Sequence, residues 1–185
     1  RMFKGAASFT QTLSSRCWVN SKADQTDIFV GSRGSISLAF SPRLKNTLTR
    51  AVASCLKLSP KGECANGRHG PIEYWDVSRL PDMSYIFSYQ IFFNGDISQW
   101  DVSQVQDMSA MFLSATSFNC DISKWDVSSV FNMDYMFWDA KSFKQILCGA
   151  AWVHSVASKA NMFEGSSGSI PQSICKTIST FSPQS

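Results

Sequence analysis

The sequence predicts an α/β repeat protein: a short solenoid of 25-residue strand–helix coils, closed by a helical N-terminal cap and an irregular C-terminal cap. Three observations predict it. First, one phrase recurs every 25 residues, so that Trp75, Trp100 and Trp125 align, as do Met83, Met108 and Met133, and Phe87, Phe112 and Phe137. A fixed period of this size signals a supersecondary unit stacked on copies of itself. Second, within a copy the apolar residues first alternate, as in a strand, and then recur at helical spacing. Third, the flanks lose the period and carry the paired cysteines.

In chain order, residues 1–40 are expected to be the partial last coil and C-terminal cap of a preceding unit. Residues 2–36 align without a gap on 136–170, with 17 of 35 positions identical, among them Trp18/Trp152 and Phe29/Phe163. Phe40-Ser41-Pro42 likewise recurs as Phe181-Ser182-Pro183. The chain therefore reads as a slice of a longer array, with one complete unit from about Ser41 to Phe181.

Residues 41–71 form the N-terminal cap. Ser41-Pro42 is a helix start, with Ser as N-cap and Pro at the first helical position. Leu44, Leu48, Val52, Cys55 and Leu56 make one apolar stripe, and Ser59-Pro60-Lys61-Gly62 ends the helix. Such a helix covers the open edge of the first coil. Binding to a membrane surface is the rival reading, weakened because the basic residues are spread rather than clustered.

Residues 72–147 form the three coils. In the second, Trp100 and Val102 alternate as a short strand, and Ser103 with Gln106 completes a capping box. Val105, Met108, Met111 and Phe112 then mark one face of a short helix. Met fills irregular gaps and packs well on aromatic rings, so the methionine column reads as core rather than as a cofactor box. Residues 148–181 abandon the period and form the C-terminal cap and connector. Residues 182–185 begin a further unit.

The net charge of +3 hides an asymmetry: residues 41–71 carry six Lys/Arg against one Glu, and residues 72–147 carry four against ten Asp/Glu. A basic cap on acidic coils can steer partners. Six cysteines stand outside any CxxC spacing, and with only two histidines a zinc site is not expected. Cys55 with Cys64, and Cys148 with Cys175, flank the coils where a stack needs its ends fastened, so disulfides and an oxidising compartment are expected. Cys17 and Cys120 have no obvious mates. No apolar run is long enough to span a membrane.

Asp76, Asp101 and Asp126 also align, each followed by Val-Ser. Stacked carboxylates can bind calcium, but the plainer reading is that each Asp turns the chain by accepting backbone N–H groups. A regular ladder gives every carboxylate the same environment, whereas acid–base catalysis needs two different ones. His69 and His154 lack a nucleophile deducible from sequence, so no catalytic residue, cofactor or metal site is assigned and the chain is read as not an enzyme. No nucleic-acid motif is present.

Phe118-Asn119-Cys120-Asp121-Ile122-Ser123-Lys124-Trp125-Asp126-Val127-Ser128, continued by the Met and Phe positions, resembles the BspA-like leucine-rich repeat familiar from mycoplasma surface lipoproteins. The Ser-Pro helix, the CLKLSPKGEC loop and the WVxSxA…MFxGSxGSI cap resemble versions in dinoflagellate algae. The resemblance implies adhesion or protein–protein contact, with no catalytic residues to carry over. The expected function is a soluble, non-enzymatic scaffold subunit docked on a larger membrane-associated assembly, in the manner of a lumenal subunit of an algal photosystem–antenna complex; the alternative is a secreted or cell-surface adhesion protein. The thylakoid lumen or the cell exterior is the expected location. Partner-binding residues are expected where exposed coil positions vary, at Tyr74, Tyr85, Tyr135 and Trp138, with Arg43 and Arg50 from the basic helix.

Overall fold

The computed structural model describes residues 40–175, together with the backbone of Thr12–Leu13 and Ser35–Ile36. Cys17, the connector beyond Cys175 and residues 182–185 lie outside the described residues. So does most of the segment expected to copy 136–170. Within it, strand β1 (Thr12–Leu13) pairs in parallel with β2 (Ser35–Ile36) through Thr12↔Ser35. The same bridge recurs 134 residues on as Ile146↔Ser169.

Helix α1 spans Lys45–Leu58 and buries Leu48, Ala51, Val52, Cys55 and Leu56 against the core, while Leu44 is exposed. It starts later than Ser41-Pro42 suggests. Leu44 is the residue before the helix and no side chain caps it. The Ser41 hydroxyl instead donates to Asp76 (3.3 Å). The end falls as expected, where the Ser59 N–H closes the last turn on the Cys55 carbonyl (2.8 Å). Disulfides join Cys55 to Cys64 and Cys148 to Cys175, each with Cα atoms 5.3 Å apart.

The coils are not the strand–helix units that the sequence predicts. Among the described residues of 72–147 there is no α-helix and no strand, only a short 3-10 turn (Ile72–Tyr74) and isolated parallel bridges along Asp82, Asp107, Asn132 and Ser158. The chain runs instead through consecutive i→i+3 turns. In the first coil, Ile86 N–H bonds to Met83 O, Ser88 to Tyr85 O and Gln90 to Phe87 O. The third residue of alternate turns takes a left-handed conformation, at Tyr85 (φ 62°), Tyr89 (59°), Ala110 (51°), Ser114 (54°), Tyr135 (58°) and Asp139 (53°). That conformation stops a helix at every turn. The expected capping box is absent as well, because the Ser103 hydroxyl donates to Asp101 (2.7 Å).

Successive coils are tied along one ladder by twelve backbone bonds that run one way, while bonds flanking the ladder, such as Gln106 N–H to Pro81 O and Ser117 N–H to Ile91 O, run back. The N–H groups of Met83, Tyr85, Phe87 and Tyr89 donate to the carbonyls of Asp107, Ser109, Met111 and Leu113, and the pattern repeats from the second coil to the third and from the third to residues 158–164. Inside, Phe87, Phe112, Phe137 and Phe163 stack in one column with centroids 5.5 Å apart. Phe93, Phe118 and Phe143 form a second column at 5.8 Å. Each indole N–H donates one coil back: Trp100 to Ile72 O (2.9 Å), Trp125 to Ile97 O (3.2 Å) and Trp152 to Ile122 O (3.1 Å). A buried donor is thereby satisfied in every coil.

The aspartates serve the backbone. Asp76, Asp101 and Asp126 accept the N–H groups of Ser78, Ser103 and Ser128. Asp82, Asp107 and Asn132 accept those of Ser84, Ser109 and Asp134. The hydroxyl and N–H of Ser128 hold the Asp126 carboxyl below its ordinary value of 3.8. Among the described residues no group of three or more His, Cys, Asp or Glu side chains is placed to hold a metal ion.

Candidate interaction surface

A rigid stack leaves its outer turn positions free of packing duties, and these are where a functional surface is sought. Tyr85 and Tyr135 occupy the same left-handed position two coils apart, with buried Ala110 between them. Both are exposed. Trp138 is half-buried and closes a turn with Tyr135, its N–H on the Tyr135 carbonyl (3.1 Å). Tyr74 is exposed on the 3-10 turn, and a hydrogen bond to Glu73, aided by that residue's charge, raises its phenol above the usual value of 10.0. Arg43 and Arg50 are exposed at the N-terminal cap. Tyr85, Tyr135 and Trp138 thus share the outer turns of the coils, while Tyr74 stands on the entry turn and the two arginines on the cap.

A further cluster of exposed apolar residues lies in the turn that ends the first coil. Tyr89, Ile91 and Phe92 are 67%, 46% and 62% exposed. Their equivalents are Ser114, Thr116 and Ser117 in the second coil and Asp139, Lys141 and Ser142 in the third. The two polar versions fold the same turn, so the fold does not require apolar residues there. Leu58, 69% exposed, ends α1 on the opposite side of an open groove of about 680 Å³. Leu58, Pro60, Lys61, Phe92, Asn94 and Ser117 line it. A backbone bond from Asn94 N–H to Lys61 O (3.0 Å) fixes the loop against the coil, so the groove is preformed.

Comparison between coils could have found this patch in the sequence. The departure of Ser88 and Leu113 from Trp138 is the same kind of signal as that of Tyr89-Gln90-Ile91-Phe92 from its counterparts. Leu58 was not findable so, because only the folded cap brings it beside Phe92.

On the ladder side, burial pushes the Asp82 carboxyl up, but the Lys45 ammonium (2.9 Å) and the N–H and hydroxyl of Ser84 outweigh it and hold it below 3.8. Lys45 also contacts the Ser84 hydroxyl. Cys120 is a free thiol, half-buried against Asp96, and burial pushes its pKa up, which leaves it a poor nucleophile. Two disulfides suit an extracellular or otherwise oxidising location. Among the described residues no helix is long and apolar enough to cross a membrane.

No curated protein and no solved structure matches the chain. A family model described as "Mycoplasma protein of unknown function, DUF285" matches residues 61–176, well over half of the sequence. The chain belongs to that BspA-like repeat family.

Proposed function

We propose that this chain is a non-enzymatic protein-binding module whose principal contact is the apolar patch of Leu58, Tyr89, Ile91 and Phe92. The observation that carries the reading is the replacement of polar by apolar residues at three exposed positions in one coil only. Exposed aromatic and aliphatic side chains around a fixed groove are what anchor protein interfaces. Tyr74, Tyr85, Tyr135, Trp138, Arg43 and Arg50 extend the surface in this reading.

The finer version is a soluble subunit docked on a membrane-associated assembly in an oxidising organelle lumen, such as that of an algal photosystem–antenna complex. The likeness of the caps to algal forms supports it. The alternative is a secreted or cell-surface adhesion protein, favoured by the match to a Mycoplasma family. Isolation of the tagged chain from its source separates the two. Stoichiometric recovery with a membrane complex, lost on Tyr89→Ser, Ile91→Thr and Phe92→Ser together, supports the docked subunit. A secreted monomer whose surface binding is lost in the same variant supports adhesion. Partner binding unchanged by the triple substitution removes the patch from both.

A further inference from the structure

The ladder of coil-to-coil hydrogen bonds has two unlike ends. A trans peptide points its N–H and its C=O in opposite directions. Because all twelve bonds run from an N–H of one coil to a carbonyl of the next, the first coil directs only carbonyls off the stack, those of Asp82, Ser84, Ile86 and Ser88. The last turn directs only N–H groups, those of Lys159, Asn161, Phe163 and Gly165. Among the described residues none of these eight groups is hydrogen-bonded. The aligned peptides also sum as they do in a helix, negative at the carbonyl end and positive at the N–H end.

The carbonyl end is closed. Lys45 of α1 reaches Asp82 and Ser84, and Ser84 and Ile86 are buried. Among the described residues, none covers the N–H end. Asn161 and Gly165 are exposed, Lys159 and Phe163 are half-buried, and Lys159, Asn161 and Phe163 border a hollow of about 480 Å³ together with Gly168 and Ile170. Phe163 is also the last ring of its column, stacked on Phe137 (5.5 Å) by one face.

We propose that this end is an addition site for one more coil, a segment carrying the same repeat phrase supplied by a second polypeptide chain. The occupant is identified by continuity with the existing coil-to-coil interface, which the chain already uses three times. An ordinary β-strand does not fit. Each of its bonding residues presents both an N–H and a C=O to its neighbour, and the stretch from Lys159 to Gly165 offers donors alone, so the N–H groups of a strand laid along it would be buried unpaired at about 1–3 kcal/mol each. A coil in the alternating turn conformation presents carbonyls alone along this stretch, and it brings a phenylalanine for the free face of Phe163. A second copy of this chain in its capped form cannot donate, because α1 covers its first coil. The donor is a repeat chain whose first coil is uncovered.

The test is amide hydrogen exchange of the whole chain with a synthetic peptide reproducing residues 104–119, which holds the phrase from Asp107 to Phe118. Exchange at Lys159, Asn161, Phe163 and Gly165 is expected to slow by at least about tenfold, with Met108 and Phe112 unchanged. A scrambled peptide and an alternating Val/Thr strand peptide are expected to give no protection. Phe163→Ala is expected to weaken the protection, with unchanged exchange at Met108 and Phe112 showing that it is folded. No slowing, equal slowing by all three peptides, or full protection in Phe163→Ala overturns the proposal. The Phe92→Ser variant is expected to bind the peptide normally, which separates this site from the apolar patch.

Discussion

Gly168 lies against the ring of Phe143 so closely that a Cβ there would sit 2.4 Å from the ring carbon Cδ1. At the other end of the same aromatic column, a Cβ on Gly62 would sit 2.5 Å from Phe93. Phe93, Phe118 and Phe143 are thus bounded at both ends by glycines from the two caps, and the column closes on backbone rather than on solvent.

Gly168→Ala is therefore expected to destabilise by about 1–3 kcal/mol, the range for overpacking a rigid core. Gly62→Ala should cost more, because Gly62 also sits at φ +96°, where a side chain adds strain. Chemical denaturation of both variants checks the order. Equal stability to the parent would show that the rings can move aside.

Trp100→Ala is expected to cost about 3–5 kcal/mol, as for a large buried aromatic. Trp152→Phe keeps an aromatic ring but removes the donor to Ile122 O and part of the buried indole, so an unpaired carbonyl, about 1–3 kcal/mol, adds to a cavity term. Thermal unfolding of the two variants measures both costs. Parity of Trp152→Phe with the parent would show that the indole ladder contributes no net stability.

Ser114→Gly is expected to raise stability by about 0.5 kcal/mol. Relief of the left-handed backbone at φ 54° is worth about 1–2 kcal/mol, offset by about 0.4–1 kcal/mol of extra freedom in the unfolded chain. Gly165 (φ 75°) already stands at the matching position after the third coil. Ser114→Val should fall well below the parent, since a β-branched residue tolerates that conformation least. The midpoints of urea titrations decide it.

The dependence on pH is expected to come in two steps. Burial, and then the charge of Arg68, lower the His69 pKa from 6.5. The unfolded chain therefore binds the proton first, and stability present above pH 6.5 falls as the pH drops through the folded value. Asp82, Asp96 and Asp126 are all held below 3.8, so their contribution is present above that pH and is lost as the pH falls through their folded values. Melting temperature against pH should show both steps, and His69→Gln should remove only the upper one. An unaltered upper step in that variant would assign it to another group.

Breaking Cys148–Cys175 by Cys175→Ser is expected to cost about 2–4 kcal/mol, because the bond closes a loop of 27 residues. Differential calorimetry of that variant against the parent under oxidising conditions measures it.

The repeat period determined the register of the core: Trp75, Trp100 and Trp125, the Met positions and the two Phe columns were legible because identical residues 25 apart must meet identical surroundings. The cap cysteines were legible from their placement beside the coils. The backbone conformation was not. Consecutive i→i+3 turns bury Met83, Ile86 and Phe87 at the same i, i+3, i+4 spacing that a helix uses, and the left-handed positions of the three coils carry Tyr, Ala, Ser and Asp rather than the glycine that would have announced them. Ser103 and Gln106 imitate a capping box for the same reason. Trp152 escaped because it lies 27 residues after Trp125, yet with these two extra residues it completes the indole ladder. Only the tertiary structure decided that these segments are turns, because within the three coils the N–H of each left-handed residue bonds to the coil that follows it, a partner 24 or 25 residues away that no local sequence signal can reveal. The folded chain alone also set Leu58 across from Phe92 and left one end of the ladder with donors and no acceptors.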